Sequence, residues 1–144
     1  MITFGEKESG IDYVLRPAVY VLIFNNKRDK IAIIRKRDGK YFLPGGGIEN
    51  RETHEECLKR EALEELGFQV EISTFIGSAR RYFYSVNEGI HYLNEGHFYF
   101  CSKIKEVIKP TEDDYELIWL EPDHAIDCLI HDHQKWAVKE ALRR

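Results

Sequence analysis

Residues 46–68 read GGIENRETHEECLKREALEELGF, a glycine turn that runs into a helix carrying most of its charge as glutamate. With Gly45, the glycines allow tight backbone geometry beside a ligand, where a Cβ would obstruct. Thr53 with Glu56 three residues on forms a capping box, and Gly67 suits the left-handed position that ends a helix. Between these signals Leu58, Ala62 and Leu66 recur every fourth residue and define a buried stripe. At about 100° per residue from Glu61, Glu64 falls at about 300° and Glu65 at about 40°, so the three carboxylates share one arc beside the stripe. Like charges at these spacings cost a helix about 0.2–0.5 kcal/mol per pair. Arg60 can reach Glu64 and Glu56, but a divalent cation neutralises such an arc more fully, and hard Mg²⁺ or Mn²⁺ suits an all-oxygen donor set. A solvated acidic face is the plain alternative, and the helix by itself does not decide between them.

Outward from this stretch the pattern is largely one of strands. Residues 18–24 (AVYVLIF) form a β-branched and aromatic run after a polar N-terminal arm, with 30–37 (KIAIIRKR) as its expected partner. Asp38-Gly39 signals a hairpin, returning through 41–43. Beyond the helix, 69–81 alternates as a long strand that continues into Arg81-Tyr82-Phe83-Tyr84. Asn87-Glu88-Gly89 and Asn94-Glu95-Gly96 read as turns, 97–104 as a strand, and 109–114 as an acidic surface loop before a strand over 115–120. Pro122 opens a short turn or helix, and 133–144 closes the chain as a helix with Trp136, Ala137, Glu140 and Ala141 at helical spacing.

The 144 residues suit one domain over 1–144, and no repeat or Gly/Ser linker divides them. A net charge of −4 argues against general nucleic-acid binding, so an acidic substrate must be met by local charge or metal. No apolar run approaches the ~20 residues of a membrane span. The N-terminus MITFGEKESG lacks the basic and apolar regions of a secretory signal, so the expected location is cytoplasmic. Cys57, Cys101 and Cys128 show no CxxC spacing and read as free thiols.

The spacing across the opening stretch carries a resemblance. Gly46, five residues, Glu52, seven residues, then Arg60-Glu61-Ala62-Leu63-Glu64-Glu65-Leu66-Gly67-Phe68 is similar to the Nudix box of the MutT-like hydrolases. Ala62 is small for its bulky apolar position, and Arg51 precedes Glu52 where the family often has glycine. The resemblance implies an α/β fold, an α/β/α sandwich with a mixed central sheet. It also implies hydrolysis of a pyrophosphate bond in a nucleoside diphosphate linked to another moiety, with nucleoside triphosphates and dinucleoside polyphosphates favoured. Glu61, Glu64 and Glu65 would ligate Mg²⁺, with Mn²⁺ as substitute, and the Gly45 carbonyl would add an oxygen. Glu52 and Arg60 would brace the group, and Glu61 or a later loop glutamate would act as base. Glu112, Asp113 and Glu116 lie before Trp119, where the family often adds a ligand, and Glu116 is the choice among them.

Arg80, Arg81, Tyr82 and Tyr84 are candidates for substrate binding, because cations beside aromatic rings can hold phosphate and stack a base. Tyr84 also lies where diadenosine polyphosphate hydrolases of the family place a tyrosine. His131-Asp132-His133 reads as a polar cluster at a helix start, since i and i+2 do not share a helix face. The expected partner is a small nucleotide. Dimers are frequent in the family, so a homodimer is a further expectation. A non-catalytic nucleotide sensor is the competing reading, and a sensor of that kind is expected to have lost box carboxylates that this chain keeps.

Overall fold

The computed structural model describes residues 1–107 and 114–144. The expected contributions of Glu112 and Asp113, and most of the expected acidic loop, lie outside the described residues.

Residues His54–Leu66 form the expected 13-residue helix, α1. Its N-cap Thr53 accepts from the Glu56 N–H while the Glu56 carboxylate accepts from the Thr53 N–H, completing the capping box. Gly67 ends it at φ 71°, with its N–H turned back to Ala62 and Leu63 carbonyls. Leu58 and Ala62 are fully buried and Leu66 nearly so, each leucine contributing about 1.5–3 kcal/mol of apolar burial. Just before α1, Arg51 takes φ 60°, so the glycine-like conformation is present at this position although glycine is not.

The main sheet is mixed. Its strands are β1 (Ile2–Phe4), β2 (Val14–Leu22), β5 (Gly45–Gly47), β6 (Phe68–Ser85) and β7 (Ile90–Glu106), in the order β1-β6-β7-β2-β5. The β6–β7 and β2–β5 pairs are antiparallel, whereas β2–β7 and β1–β6 are parallel. A second, antiparallel sheet holds β4 (Tyr41–Phe42), β3 (Ile31–Lys36) and β8 (Tyr115–Leu120), in the order β4-β3-β8. Two short helices close the chain, α2 (Pro122–Cys128) and α3 (Asp132–Leu142).

Side-chain alternation divides the interior into two cores. Val19, Val21, Ala32 and Ile34 pack with the α1 stripe, while Leu22, Ile31 and Ile33 pack with Ala125, Ala137 and Val138 of α2 and α3. Both faces of β2 and β3 are thus covered by helices. This is the α/β sandwich with a mixed sheet that the sequence led us to expect. Among the described residues no helix is long and apolar enough to cross a membrane.

Three local expectations are corrected. The run over 30–37 is not the ladder partner of 18–24, because β7 and β5 occupy the two edges of β2. Backbone pairing between 18–24 and 30–37 is reduced to the Phe24–Ile31 bridge and an Ala32 N–H to Ile23 carbonyl bond of 3.0 Å. Asn94-Glu95-Gly96 is not a turn but the middle of β7, where Gly96 pairs with Ala18 on one side and Ala79 on the other. A Cβ at Gly96 would meet the Phe98 ring at 2.6 Å, so this glycine serves close packing rather than chain reversal. The polar N-terminal arm also contributes a strand, β1, and the glycine run pairs as β5.

Candidate active site

The glycine strand β5 lies against α1 so closely that side chains there would displace the carboxylates. A Cβ on Gly46 would stand 2.6 Å from Glu61 Oε1. Gly45 has φ 142°, and a Cβ there would meet the Val19 carbonyl at 2.1 Å. The Gly45 N–H donates to Glu65 Oε1 at 2.7 Å. Glu65 is buried and the Glu61 side chain is 12% exposed, whereas Glu64 is 38% exposed at the rim.

Arg60 is central to the bracing of this arc. Its Nε and Nη2 donate to the two oxygens of Glu52 at 2.6 and 2.9 Å. Its Nη1 reaches Glu61 Oε1 at 3.0 Å and Glu64 Oε2 at 3.3 Å, and Nη2 also donates to the Gly47 carbonyl at 3.2 Å. Hydrogen bonding to Arg60, helped by the Glu49 N–H, lowers the Glu52 carboxyl to about 2. The Arg60 guanidinium is raised in turn, chiefly by its bond to Glu52. Glu61 behaves in the opposite way: burial raises its pKa, and Glu64 and Glu49 add to the rise against the pull of Arg60. One guanidinium thus serves Glu52, Glu61 and Glu64 together, leaving an excess of negative charge on oxygen donors.

The donor chemistry fits a hard divalent cation, and the close approach of Gly46 and Gly45 to Glu61 and Glu65 fixes where two of those donors stand. Among the described residues no three acidic, His or Cys side chains are already gathered as a cluster that could hold a metal ion. An ion bound by one or two carboxylates, waters and substrate oxygens does not need such a cage.

These groups line a cleft of about 830 Å³, in the range of small-molecule sites. The same cleft is lined by Lys36, Phe42, Tyr115, His131 and Gln134, and by Tyr20 and Arg16. The aromatic lining from Tyr20, Phe42 and Tyr115 was not singled out in the sequence. Phe42 and Tyr115 belong to the second sheet, and only the pairing of β4, β3 and β8 brings them to the glycine strand.

The candidates Arg80, Arg81, Tyr82 and Tyr84 do not line this cleft. Arg80 pairs with Glu95 at 2.6 Å on a neighbouring strand, and Tyr82 packs edge-on against Tyr13. Tyr84 is half exposed beside His91. Arg81 is turned to the Ile130 carbonyl at 3.1 Å and His131 Nδ1 at 2.6 Å, so it touches the cleft through His131 alone. Glu116 stands opposite Arg35 at 3.8 Å with its side chain 64% exposed, on β8 but away from the cleft that the adjoining Tyr115 lines. Strand alternation sends neighbours to opposite faces, which separates Glu116 from the α1 carboxylates. His131 and His133, expected as a polar helix start, are buried: His133 is 0% exposed and neither of its ring nitrogens has a hydrogen-bond partner. Cys57 lies under the glycine strand, fully buried, its Sγ 3.5 Å from the Gly47 carbonyl and its thiol pushed up to about 12 mainly by burial, which disfavours the thiolate.

The NUDIX domain family model matches residues 14–142. A nucleoside triphosphatase, NudI, from Escherichia coli O139:H28 is 28% identical over 110 residues, covering 73% of this chain and 75% of that protein. A putative 8-oxo-dGTP diphosphatase of Bacillus subtilis is 34% identical over 62 residues, covering 43% of this chain and 42% of that protein. In three dimensions the chain resembles a Nudix hydrolase from Nitrosomonas europaea, with a TM-score of 0.71 at 16% identity over 89% of this chain and 88% of that one. With the family match spanning nearly the whole sequence and the carboxylate arc held against the glycine strand, the chain belongs to the Nudix family and is a MutT-like hydrolase.

Proposed function

We propose that this chain is a Mg²⁺-dependent pyrophosphohydrolase of nucleoside triphosphates, acting as a single domain in the cytoplasm. The observation that carries the reading is the burial of Glu61 and Glu65 against Gly46 and Gly45 with Arg60 as the cation bonded to Glu61. Glu61, Glu64, Glu65 and the Gly45 carbonyl are the proposed ligands, and Glu52 with Arg60 the brace. A bound divalent ion supplies charge neutralisation of phosphate oxygens and lowers the pKa of water.

The chain's own residues supply the rest. Arg60, fixed at two points by Glu52, keeps Glu61 and Glu64 from turning away from one another. Glu61, buried against Gly46 and oriented by Arg60, is the carboxylate we assign to take the proton of attacking water. Phe42 and Tyr115 in the same lining provide flat apolar surface for a base, while Arg16, near Gly47 and over the Tyr92 ring at 5.6 Å, offers a cation to the phosphate chain. The cleft volume suits one nucleotide. The similarity to a nucleoside triphosphatase favours a triphosphate over a dinucleoside polyphosphate.

The test is a panel of nucleoside triphosphates, dinucleoside polyphosphates and nucleotide sugars, incubated with the protein and Mg²⁺, Mn²⁺ or EDTA while phosphate and pyrophosphate are measured. Release from triphosphates that EDTA abolishes is the expected result. Tight nucleotide binding with no release from any compound under either metal would make the chain a sensor instead.

A further inference from the structure

The cleft lining at Lys36 and His131 carries donors, in contrast to the carboxylates elsewhere in the same lining. Arg81 donates to His131 Nδ1 at 2.6 Å, and a guanidinium has no acceptor, so His131 is neutral with its proton on Nε2. Gln134 is buried and already engaged: the Leu43 N–H donates to its Oε1 at 2.8 Å, and its side chain also hydrogen-bonds Tyr20. Lys36 stands 4.4 Å from the Phe42 ring centroid and 5.5 Å from that of Tyr115, and it carries donors only.

Several backbone carbonyls at this corner already accept an N–H group. The Ile130 carbonyl takes Arg81, the His131 carbonyl takes the N–H groups of Gln134 and Lys135, the Tyr41 carbonyl takes Ile130, and the Pro44 carbonyl takes Val21. The groups acting electrostatically on His131 are His133, Arg81, Arg16 and Lys36, none of them an anion. A ligand edge placed here meets N–H groups and positive potential.

Resting on the nucleotide-hydrolase reading, we propose that His131 and Lys36 select nucleobases by a carbonyl oxygen at the exposed edge, favouring hypoxanthine, guanine, uracil and thymine over adenine and cytosine. An exocyclic amino group at the same place would set donor against donor and leave both unpaired, which is the situation in which a hydrogen-bonding site discriminates strongly. An oxo group accepts from these donors.

The experiment compares ITP with ATP and UTP with CTP, pairs that exchange one oxo for one amino group, and the adjoining ring N–H for a bare ring nitrogen, with little change of shape. The expected kcat/KM ratios are tenfold or more in favour of ITP and UTP. His131→Phe keeps a ring and loses the donor, and it should bring both ratios below threefold, whereas His131→Gln, which retains an N–H, should keep most of the preference. Lys36→Met provides an independent reduction if the His131 variants do not fold. Equilibrium binding of the same four nucleotides to Glu61→Gln separates this inference from the hydrolase reading. Tighter binding of ITP and UTP there, without turnover by the wild type, supports the selective wall and overturns only the catalytic reading. Turnover with ratios near one, or with ATP and CTP preferred, overturns the selective wall and leaves hydrolysis standing.

Discussion

Arg60 grips Glu52 at two points, Nε to Oε2 at 2.6 Å and Nη2 to Oε1 at 2.9 Å, while its remaining nitrogen reaches Glu61 and Glu64. The planar fork does what a lysine ammonium cannot, because it satisfies both oxygens of one carboxylate and still orients a second and third. Arg60→Lys is therefore expected to lower kcat/KM by about 10- to 100-fold, the usual cost of losing a group that orients metal ligands. Steady-state kinetics check this, together with a circular dichroism spectrum showing the fold retained. A loss below threefold would remove Arg60 from the proposed bracing role.

Glu61 combines burial with neighbouring negative charge, and both raise its pKa. A carboxyl raised above its unfolded value binds more protons in the native state, so its ionisation subtracts stability as pH rises. Glu61→Gln is expected to raise the melting temperature in EDTA at pH 8 while abolishing metal-dependent phosphate or pyrophosphate release. The thermal advantage should shrink as pH falls and the wild-type carboxyl takes up its proton. Thermal melts from pH 8 downward test the sign, and an advantage that grew in acid would contradict it.

The two glycines of the strand separate fold from activity. Gly45→Ala forces a Cβ to 2.1 Å from the Val19 carbonyl at a φ of 142°. Its expected cost is about 2–4 kcal/mol in denaturant unfolding, from backbone strain and overpacking together. Gly46→Ala meets the end of a side chain, Glu61 Oε1 at 2.6 Å, which can move. It is expected to keep most of the stability and lose most of the activity.

Arg51 stands at φ 60° in the loop before α1. A non-glycine residue in this region costs about 1–2 kcal/mol, partly offset in a glycine variant by greater freedom of the unfolded chain. Arg51→Gly is expected to stabilise the protein by about 0.5–1 kcal/mol, measured by urea denaturation. A destabilisation would show that the arginine makes a compensating interaction in solution.

His131 and His133 are held neutral, pushed to about 2 and about 3, first by burial and then by neighbouring positive charge. Their native pKa values lie below the unfolded value of about 6.5, so the unfolded chain binds more protons as pH falls. The stability they contribute is complete above about pH 6.5 and is lost progressively below it, by roughly 2–3 kcal/mol per histidine at pH 4.5. His133→Phe, at a position with no hydrogen bond to lose, should flatten this acid limb in denaturant titrations at pH 7 and pH 4.5.

The sequence by itself determined the helix and the arc on it. Thr53, Glu56 and Gly67 form caps within a few residues of each other, and Glu61, Glu64 and Glu65 share a face through the 3.6-residue turn, so contiguous residues suffice to specify them. Tertiary structure decided everything that depends on which strand edges find each other. The expected pairing of 18–24 with 30–37 failed because β7 and the glycine strand compete for the same edges of β2, and Asn94-Glu95-Gly96 became strand because both of its edges found partners. The substrate lining of the cleft follows the same rule. Arg80, Arg81, Tyr82 and Tyr84 carried the composition of a binding surface, but their partners Glu95, His131, Tyr13 and His91 are 15, 50, 69 and 7 residues away in sequence, and those contacts set them outside the cleft. Phe42, Tyr115, His131 and Gln134 line it instead, gathered from β4, β8 and the start of α3 by long-range packing that no local pattern encodes.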